Sequence, residues 1–441
     1  MKEAQDIRPA PPQAEVLSVE PYISADYARR ENTRLWQRVW QWACRLEEIR
    51  NVGDYVTYDI ADQSIIVVRT APDEIKGFHN VCMHRGRRLA SGCGTAKGFR
   101  CRFHGWQWDL EGRNVRVVDR QDWGDALTDE NLRLAPVRVD TWGGYVYVTM
   151  DREAPPLREF LEPAATMLDS FEIERMRYRW RKWLIMPCNW KVALEAFNES
   201  YHLQASHPQL LRFNEDYTWS KSCGWHAHHG RPSRRLPGQG SSRILPDPRD
   251  DVRQSLAGLY KEMKDTLDAY VTDTSVRAAQ RLPNEIPEGT PPPQVLAQFS
   301  RWWREADAQR GVTWPQVTAE QSAAAGFDWH LFPNSVILIQ PTCVLGYRAR
   351  PNGPDPDSCI FEVYALERAA EGAEPETPVP ERCDDLTNEA FWGRILLQDF
   401  QNMPEVQRGM KSIGFPGTRP NPVQEQAVIN LRRSVDAFMA E

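Results

Sequence analysis

Four side chains with soft-metal chemistry share one segment: "CMHRGRRLASGCGTAKGFRCRFHGW" supplies Cys82 and His84 and, after sixteen intervening residues, Cys101 and His104. Two thiolates and two imidazoles can bind zinc tetrahedrally. They can also hold a [2Fe–2S] cluster, with the sulfurs on one iron and the imidazoles on the other. Structural zinc sites usually pair Cys with Cys and His with His, whereas each arm here gives one of each. The mixed pairing suits two loops that approach a cluster from opposite sides. Gly86 and Gly105 follow the two arms, where backbone can pass close to the cluster and turn N–H groups toward its sulfurs. Cys93 lies between the arms at no ligand position and reads as an unreactive loop thiol.

A second group lies in "NWKVALEAFNESYHLQASHPQ". His202 and His207 are five apart, with Glu199 three before the first. On an ideal helix that spacing turns the second side chain well past the first, so a bend or helix end, which Pro208 makes plausible, is needed for both to meet one ion. Two imidazoles need a carboxylate to complete the facial triad of a non-haem iron site that keeps positions open for dioxygen. No local spacing rule identifies that acid. "GWHAHHG" adds His226, His228 and His229, which have no Cys or carboxylate beside them and read as pocket wall or surface loop. In the "RPSRR" that follows, Arg231, Arg234 and Arg235 would receive a substrate carboxylate or an acidic ferredoxin, or simply face solvent.

The elements that position these groups change character along the chain. "YARRENTRLWQRVWQWACRLEEI" spaces Leu35, Val39 and Trp42 as a helix would. From Gly53, short β-branched and aromatic runs broken by polar turns predict antiparallel strands, and "RLAPVRVDTWGGYVYVTM" repeats the pattern. "PCNWKVALEAFNESYHLQASHPQLL" predicts a helix that Pro208 helps to end. The stretch 213–326 is polar, Pro-rich and without an assignable pattern. "FDWHLFPNSVILIQPTCVLGYRARP" and "CIFEVYALERA" predict strands. The tail predicts an amphipathic helix with Val428, Leu431, Val435 and Phe438 on one face.

With 441 residues the chain has room for two or three domains. Its 41% hydrophobic and 26% charged residues, with no apolar run near the ~20 residues that cross a bilayer, argue against a membrane protein. The net charge of -7 gives no general attraction to nucleic acid, although Arg85, Arg87 and Arg88 form a local basic patch. The first residues carry no apolar leader, so the expected compartment is the cytoplasm, with cysteines as thiols or metal ligands.

The segment 82–104 fits C-x-H-x(15–17)-C-x2-H and its flanks resemble those of the Rieske non-haem iron oxygenases; nearly the whole chain is similar to the catalytic α subunit of the aromatic-ring-hydroxylating dioxygenase family. The resemblance implies an α+β chain, with a β-rich Rieske [2Fe–2S] domain at 45–150 and a helix-grip (START/Bet v1-like) catalytic domain with an antiparallel sheet at 151–441. Residues 1–44 would form an arm and helix packed on the catalytic domain. It implies that Cys82, His84, Cys101 and His104 hold the cluster. His202 and His207 would hold mononuclear Fe(II) with Asp399 of "LLQDFQNMPEVQRG", ahead of Asp384 and Asp385.

Glu199 would bridge His202 to His104 of the next subunit and carry the electron path, with Glu195 and Tyr201 supporting the same helix. Ala196 stands where many members have Asn, so the hydrogen bond of that Asn is absent or passes to Asn198. The implied activity is that of a terminal oxygenase fed by NAD(P)H through a separate reductase, with or without a ferredoxin, since the chain has no G-x-G-x-x-G of its own. Dioxygen and a small apolar aromatic or ring-containing substrate would give a cis-diol. Monohydroxylation or oxidative N-/O-demethylation is the alternative, and a non-catalytic Rieske electron carrier is the alternative of another class. The implied assembly is a homotrimer, or α3β3 with a small β subunit.

Overall fold

The computed structural model describes residues 15–232, 236–244 and 251–440. Arg234, Arg235 and nearly all of the expected N-terminal arm lie outside the described residues. A first, antiparallel sheet runs in the order Gln41–Arg45, Tyr145–Thr149, Pro136–Trp142, Glu74–His79, Gln63–Ala71, Asp54–Ile60, Cys93–Thr95. The strand Gln63–Ala71 explains why this lobe reads as continuous apolar runs. Ile65 and Val67 point into the main core, while Ile66 and Val68 point into a small separate one, so both faces of the pleat are buried. That small core contains Phe78, Trp106 and Trp108 together with Cys82 and Cys101. A three-stranded sheet of Phe99–Arg100, Gln107–Trp108 and Asn114–Arg116 completes the lobe, and its first hairpin carries the second Cys/His arm.

The second sheet has eight strands in the order Trp219–Cys223, His226–Gly230, Asp328–Leu331, Ser335–Ile339, Cys343–Pro351, Cys359–Arg368, Met176–Met186, Glu381–Arg382. All its neighbours are antiparallel except the last pair. The helix Gln426–Ala440 packs across its first two strands and buries Val428, Leu431 and Val435, which is the expected helix-grip arrangement. The α+β expectation is borne out. No helix among the described residues is long and apolar enough to cross a membrane.

Three sequence expectations need correction. Trp42 is not helical: the chain leaves the Ala25–Glu31 helix through a short π-helical stretch and enters the strand Gln41–Arg45. All five residues of that strand are buried, and a strand buried on both faces has an apolar run that periodicity alone cannot distinguish from a buried helix. The strand pairs with Tyr145–Thr149, so the β lobe begins at Gln41, before the expected boundary. Besides the strands Trp219–Cys223 and His226–Gly230, the described residues of the unassigned stretch 213–326 form the helices Val252–Thr266, Asp273–Glu285 and Pro292–Gln309, whose shared core holds Leu256, Leu282, Phe299 and Trp303.

The third correction concerns the helix over 188–211, which is broken. It runs from Trp190 to Glu195, stops, and resumes as a single turn, Leu203–Ser206. The cause is local. The Glu199 carboxylate accepts the backbone N–H groups of Tyr201 and His202, giving those donors a partner other than the helical carbonyls.

Candidate metal centres and substrate cavity

The two Cys/His arms fold as equivalent loops. The Cys82 N–H donates to the Arg87 carbonyl at 2.8 Å and the Gly86 N–H to the Cys82 carbonyl at 3.0 Å; Cys101, Trp106 and Gly105 repeat both bonds at 2.8 and 3.0 Å. Gly86 and Gly105 close these turns at φ +74 and +75, a conformation that costs a side-chain-bearing residue. Backbone N–H groups of His84 and Arg85 point at the Cys82 sulfur, and those of Phe103 and His104 at the Cys101 sulfur. Burial pushes the Cys82 thiol up; at Cys101 burial is outweighed by these donors, and the thiol falls below its usual range.

The imidazoles of the two loops converge, Nδ1 to Nδ1, at 3.1 Å. His84 is fixed by stacking on Trp106 at 4.7 Å. Two buried sulfurs supplied with N–H donors, facing two convergent nitrogens, match the donor set of a [2Fe–2S] cluster with mixed ligands. Cys93 stands apart as an exposed thiol on the edge strand Cys93–Thr95, not in a loop.

The second group gathers in the other lobe. His202 and His207 flank the single turn Leu203–Ser206 as its N-cap and C-cap, which is how a spacing of five brings them together. Asp399 comes from the helix Arg394–Phe400 and is buried. Its Oδ1 lies 2.9 Å from His207 Nε2 and 3.6 Å from His202 Nε2, and one donor atom from each of the three falls within 4.8 Å of the others. The outer nitrogens are fixed too. His202 Nδ1 meets Glu199 Oε1 at 2.7 Å, and His207 Nδ1 meets Gln398 Oε1 at 2.8 Å. With Nδ1–H donating outward, both Nε2 lone pairs face the centre, as a metal requires. Burial lowers the His202 pKa, but the adjacent Glu199 charge more than offsets this and raises it to about 9.

Asp384 pairs with Arg382 and Asp385 caps Thr387 in an exposed loop, so neither joins the group. Glu195 accepts the Tyr22 hydroxyl at 2.7 Å, and burial brings it to about 7. Tyr201 is exposed. Asn198 is buried with neither side-chain end partnered, beside the same segment.

The strand His226–Gly230 divides its histidines between faces. His226 accepts the Phe332 N–H and contacts the Phe160 carbonyl, and His228 stacks on Trp329, so these two are structural wall. His229 turns the other way, 3.1 Å from Ser200 Oγ, and burial depresses it to about 3. Gln398 and Asp328 were not legible as site residues. Gln398 has no local signature. Asp328, an acid inside the apolar run "FDWHLF", is buried, and burial holds it well above the usual carboxylate range.

A cavity of about 410 Å³ opens against the triad. Its lining is largely apolar, with Leu210, Leu259, Phe299 and Trp303, but Glu215, Arg231 and Asp328 are also part of it.

Two family models match the chain: "Ring hydroxylating alpha subunit (catalytic domain)" over residues 168–441 and "Rieske [2Fe-2S] domain" over 39–123. Among curated relatives, the glycine betaine monooxygenase oxygenase subunit of Chromohalobacter salexigens is 32% identical over 191 residues, 42% of either chain. The large oxygenase component of the naphthalene 1,2-dioxygenase system of Pseudomonas putida is 34% identical over 196 residues, 42% of this chain and 43% of that one. These matches span under half the length of either relative.

The quaternary ammonium Rieske monooxygenase CntA in complex with L-carnitine has the same fold, with a TM-score of 0.64 at 17% identity over 96% of this chain and 95% of that one. Another structure of a quaternary ammonium Rieske monooxygenase is described as giving insights into carnitine oxidation and inter-subunit electron transfer. The matched domains imply a Rieske cluster and a mononuclear iron, and the two donor sets fit them. This chain belongs to the family of ring-hydroxylating oxygenase α subunits, with a Rieske [2Fe–2S] domain joined to the family's catalytic domain.

Proposed function

We propose that the chain is the terminal oxygenase of a multicomponent system, in which Cys82, His84, Cys101 and His104 hold the cluster and His202, His207 and Asp399 hold the iron. The observation that carries this is the convergence of three metal-donor atoms on the wall of a mainly apolar cavity. When bound, the cluster supplies single electrons and the iron supplies oxygen activation. The protein's own part is positional. Glu199 and Gln398 orient the imidazoles, and the apolar lining excludes water while the substrate is held against the triad.

Glu199 is also the residue through which the electron passes, bridging His202 to His104 of a neighbouring subunit. The His202 half of that bridge is the 2.7 Å contact within the chain. The other half needs an assembly of subunits, which the inter-subunit transfer described for the quaternary ammonium enzyme supports. Electrons come from a separate reductase, with or without a ferredoxin.

Of the two reaction types, we place monooxygenation first. A hydrocarbon would leave the buried Arg231 Nε without a partner, at a cost of a few kcal/mol. A polar or charged substrate, such as the glycine betaine of the first relative, meets it. The cis-dihydroxylation of an aromatic ring, the reaction type first expected from sequence, is the second reading, favoured by the aromatic lining. Turnover under isotopically labelled dioxygen with a surrogate reductase separates them. One labelled oxygen transferred per substrate, retained in an alcohol or lost with a departing methyl group as formaldehyde, supports the first. Two in a ring diol support the second, and reductant consumption without labelled product contradicts both.

A further inference from the structure

Resting on the oxygenase reading above, we propose that Arg231 is a specificity-determining residue that binds a carboxylate of the substrate while the carbon to be oxidised reaches the triad. Arg231 follows the strand His226–Gly230 and lines the cavity. Its guanidinium lies over the Phe327 ring at 4.4 Å; Phe327 meets His229 edge-on at 4.9 Å, and His229 contacts Ser200, two residues before His202. Arg231 and the three triad residues line the same cavity.

Stacking on an aromatic face fixes the plane of the guanidinium and leaves its N–H edges free to donate. Its Nε is buried without a hydrogen-bond partner, and among the described residues no carboxylate is paired with it. The acids nearby are otherwise engaged. Glu215 accepts the N–H groups of Tyr217 and Ser242, Asp399 belongs to the triad, and the Oδ2 of buried Asp328 lies 3.8 Å from His229 Nε2.

A guanidinium with no ion-pair partner among the described residues, held at a largely apolar cavity, is unfavourable until an anion arrives, and a planar carboxylate can take two of its N–H groups at once. Arg231 is the only Lys or Arg among the described lining residues. A single positive group matches the single charge of a carboxylate better than the dianion of a phosphate ester.

The test is calorimetric binding to the metal-loaded protein of four carboxylates, glycine betaine, L-carnitine, butyrate and benzoate, each beside its methyl ester. At least one acid should bind more tightly than its ester. R231Q should weaken that acid by about ten- to a hundredfold and leave the ester unchanged, as expected for removal of a charge-assisted hydrogen bond. R231K should recover part of the preference, which a merely structural role would not produce. Equal binding of acid and ester, an undiminished preference in R231Q, or no carboxylate bound at millimolar concentration overturns the proposal. Labelled-oxygen turnover run in parallel separates the two readings. Arg231-dependent binding without oxygenation would contradict only the oxygenase reading, and oxygenation indifferent to Arg231 would contradict only the anchor.

Discussion

At the scale of residues, the candidate iron centre is a set of histidines whose protons are directed away from the metal. The Glu199–His202 contact makes this measurable, because the raised His202 pKa means that the metal-free protein carries an imidazolium across neutral pH. Metal binding must expel that proton. Between the ordinary histidine value of ~6.5 and about 9, apparent Fe(II) affinity should therefore rise by roughly tenfold per pH unit. The sign for stability is opposite. The pair stabilises the metal-free fold most fully below ~6.5, and the contribution is lost as pH rises through about 9. Competition titrations of Fe(II) at two pH values check the first effect. In Glu199→Gln the dependence should flatten, and a wild-type affinity independent of pH would mean that His202 does not bind the metal.

The residue types at both centres were legible in the sequence because metal chemistry restricts them so tightly. Asp399 was reachable only through resemblance, since it arrives from a helix almost two hundred positions away. Gln398 and Asp328 were not reachable, because a single Gln or Asp has no spacing signature. What identifies them is the atom each meets in three dimensions.

At the scale of elements, strand alternation and the C-terminal helix were legible because their buried faces follow periods of two and of 3.6 residues. The helices of 252–309 were not, although Val295, Phe299, Trp302 and Trp303 do mark one face. Prolines before Pro292–Gln309, and Pro283 inside the preceding helix, mask that pattern. The break after Glu195 was hidden for another reason: a side chain, Glu199, competes with the helix for its donors.

One buried ion pair ties these elements together. Lys191, in Trp190–Glu195, meets Glu31, in Ala25–Glu31, at 2.6 Å, and Trp190 also donates to Glu31. Glu31→Ala would leave a buried ammonium alone and should destabilise the fold by ~3–5 kcal/mol in denaturant titration. Replacing both partners with apolar residues of similar volume should restore most of that loss. A single variant as stable as wild type would remove the pair from the account of how the helix Trp190–Glu195, which precedes the metal-bearing turn, is anchored.

At the scale of the whole molecule, the two centres stand on separate hydrophobic cores, the cluster loops on the small one and the triad beside the main one. Each donor set therefore sits in its own lobe. The proposed electron passage between them runs through Glu199 to a neighbouring subunit. Assemblies mixed from Cys101→Ser and His207→Ala chains should recover part of the activity that each lacks alone, because some interfaces then join an intact cluster to an intact iron. No recovery in assemblies whose mixing is verified would contradict the inter-subunit route.

If one chain holds two independent iron centres with the ligands named, metal content and the visible spectrum of His207→Ala must separate them. Wild-type protein should carry about three irons per chain, two of them in the cluster. The variant should lose the mononuclear iron, keep the other two, and retain the full absorption of the cluster. Loss of the cluster colour, or retention of all the iron, would contradict that assignment.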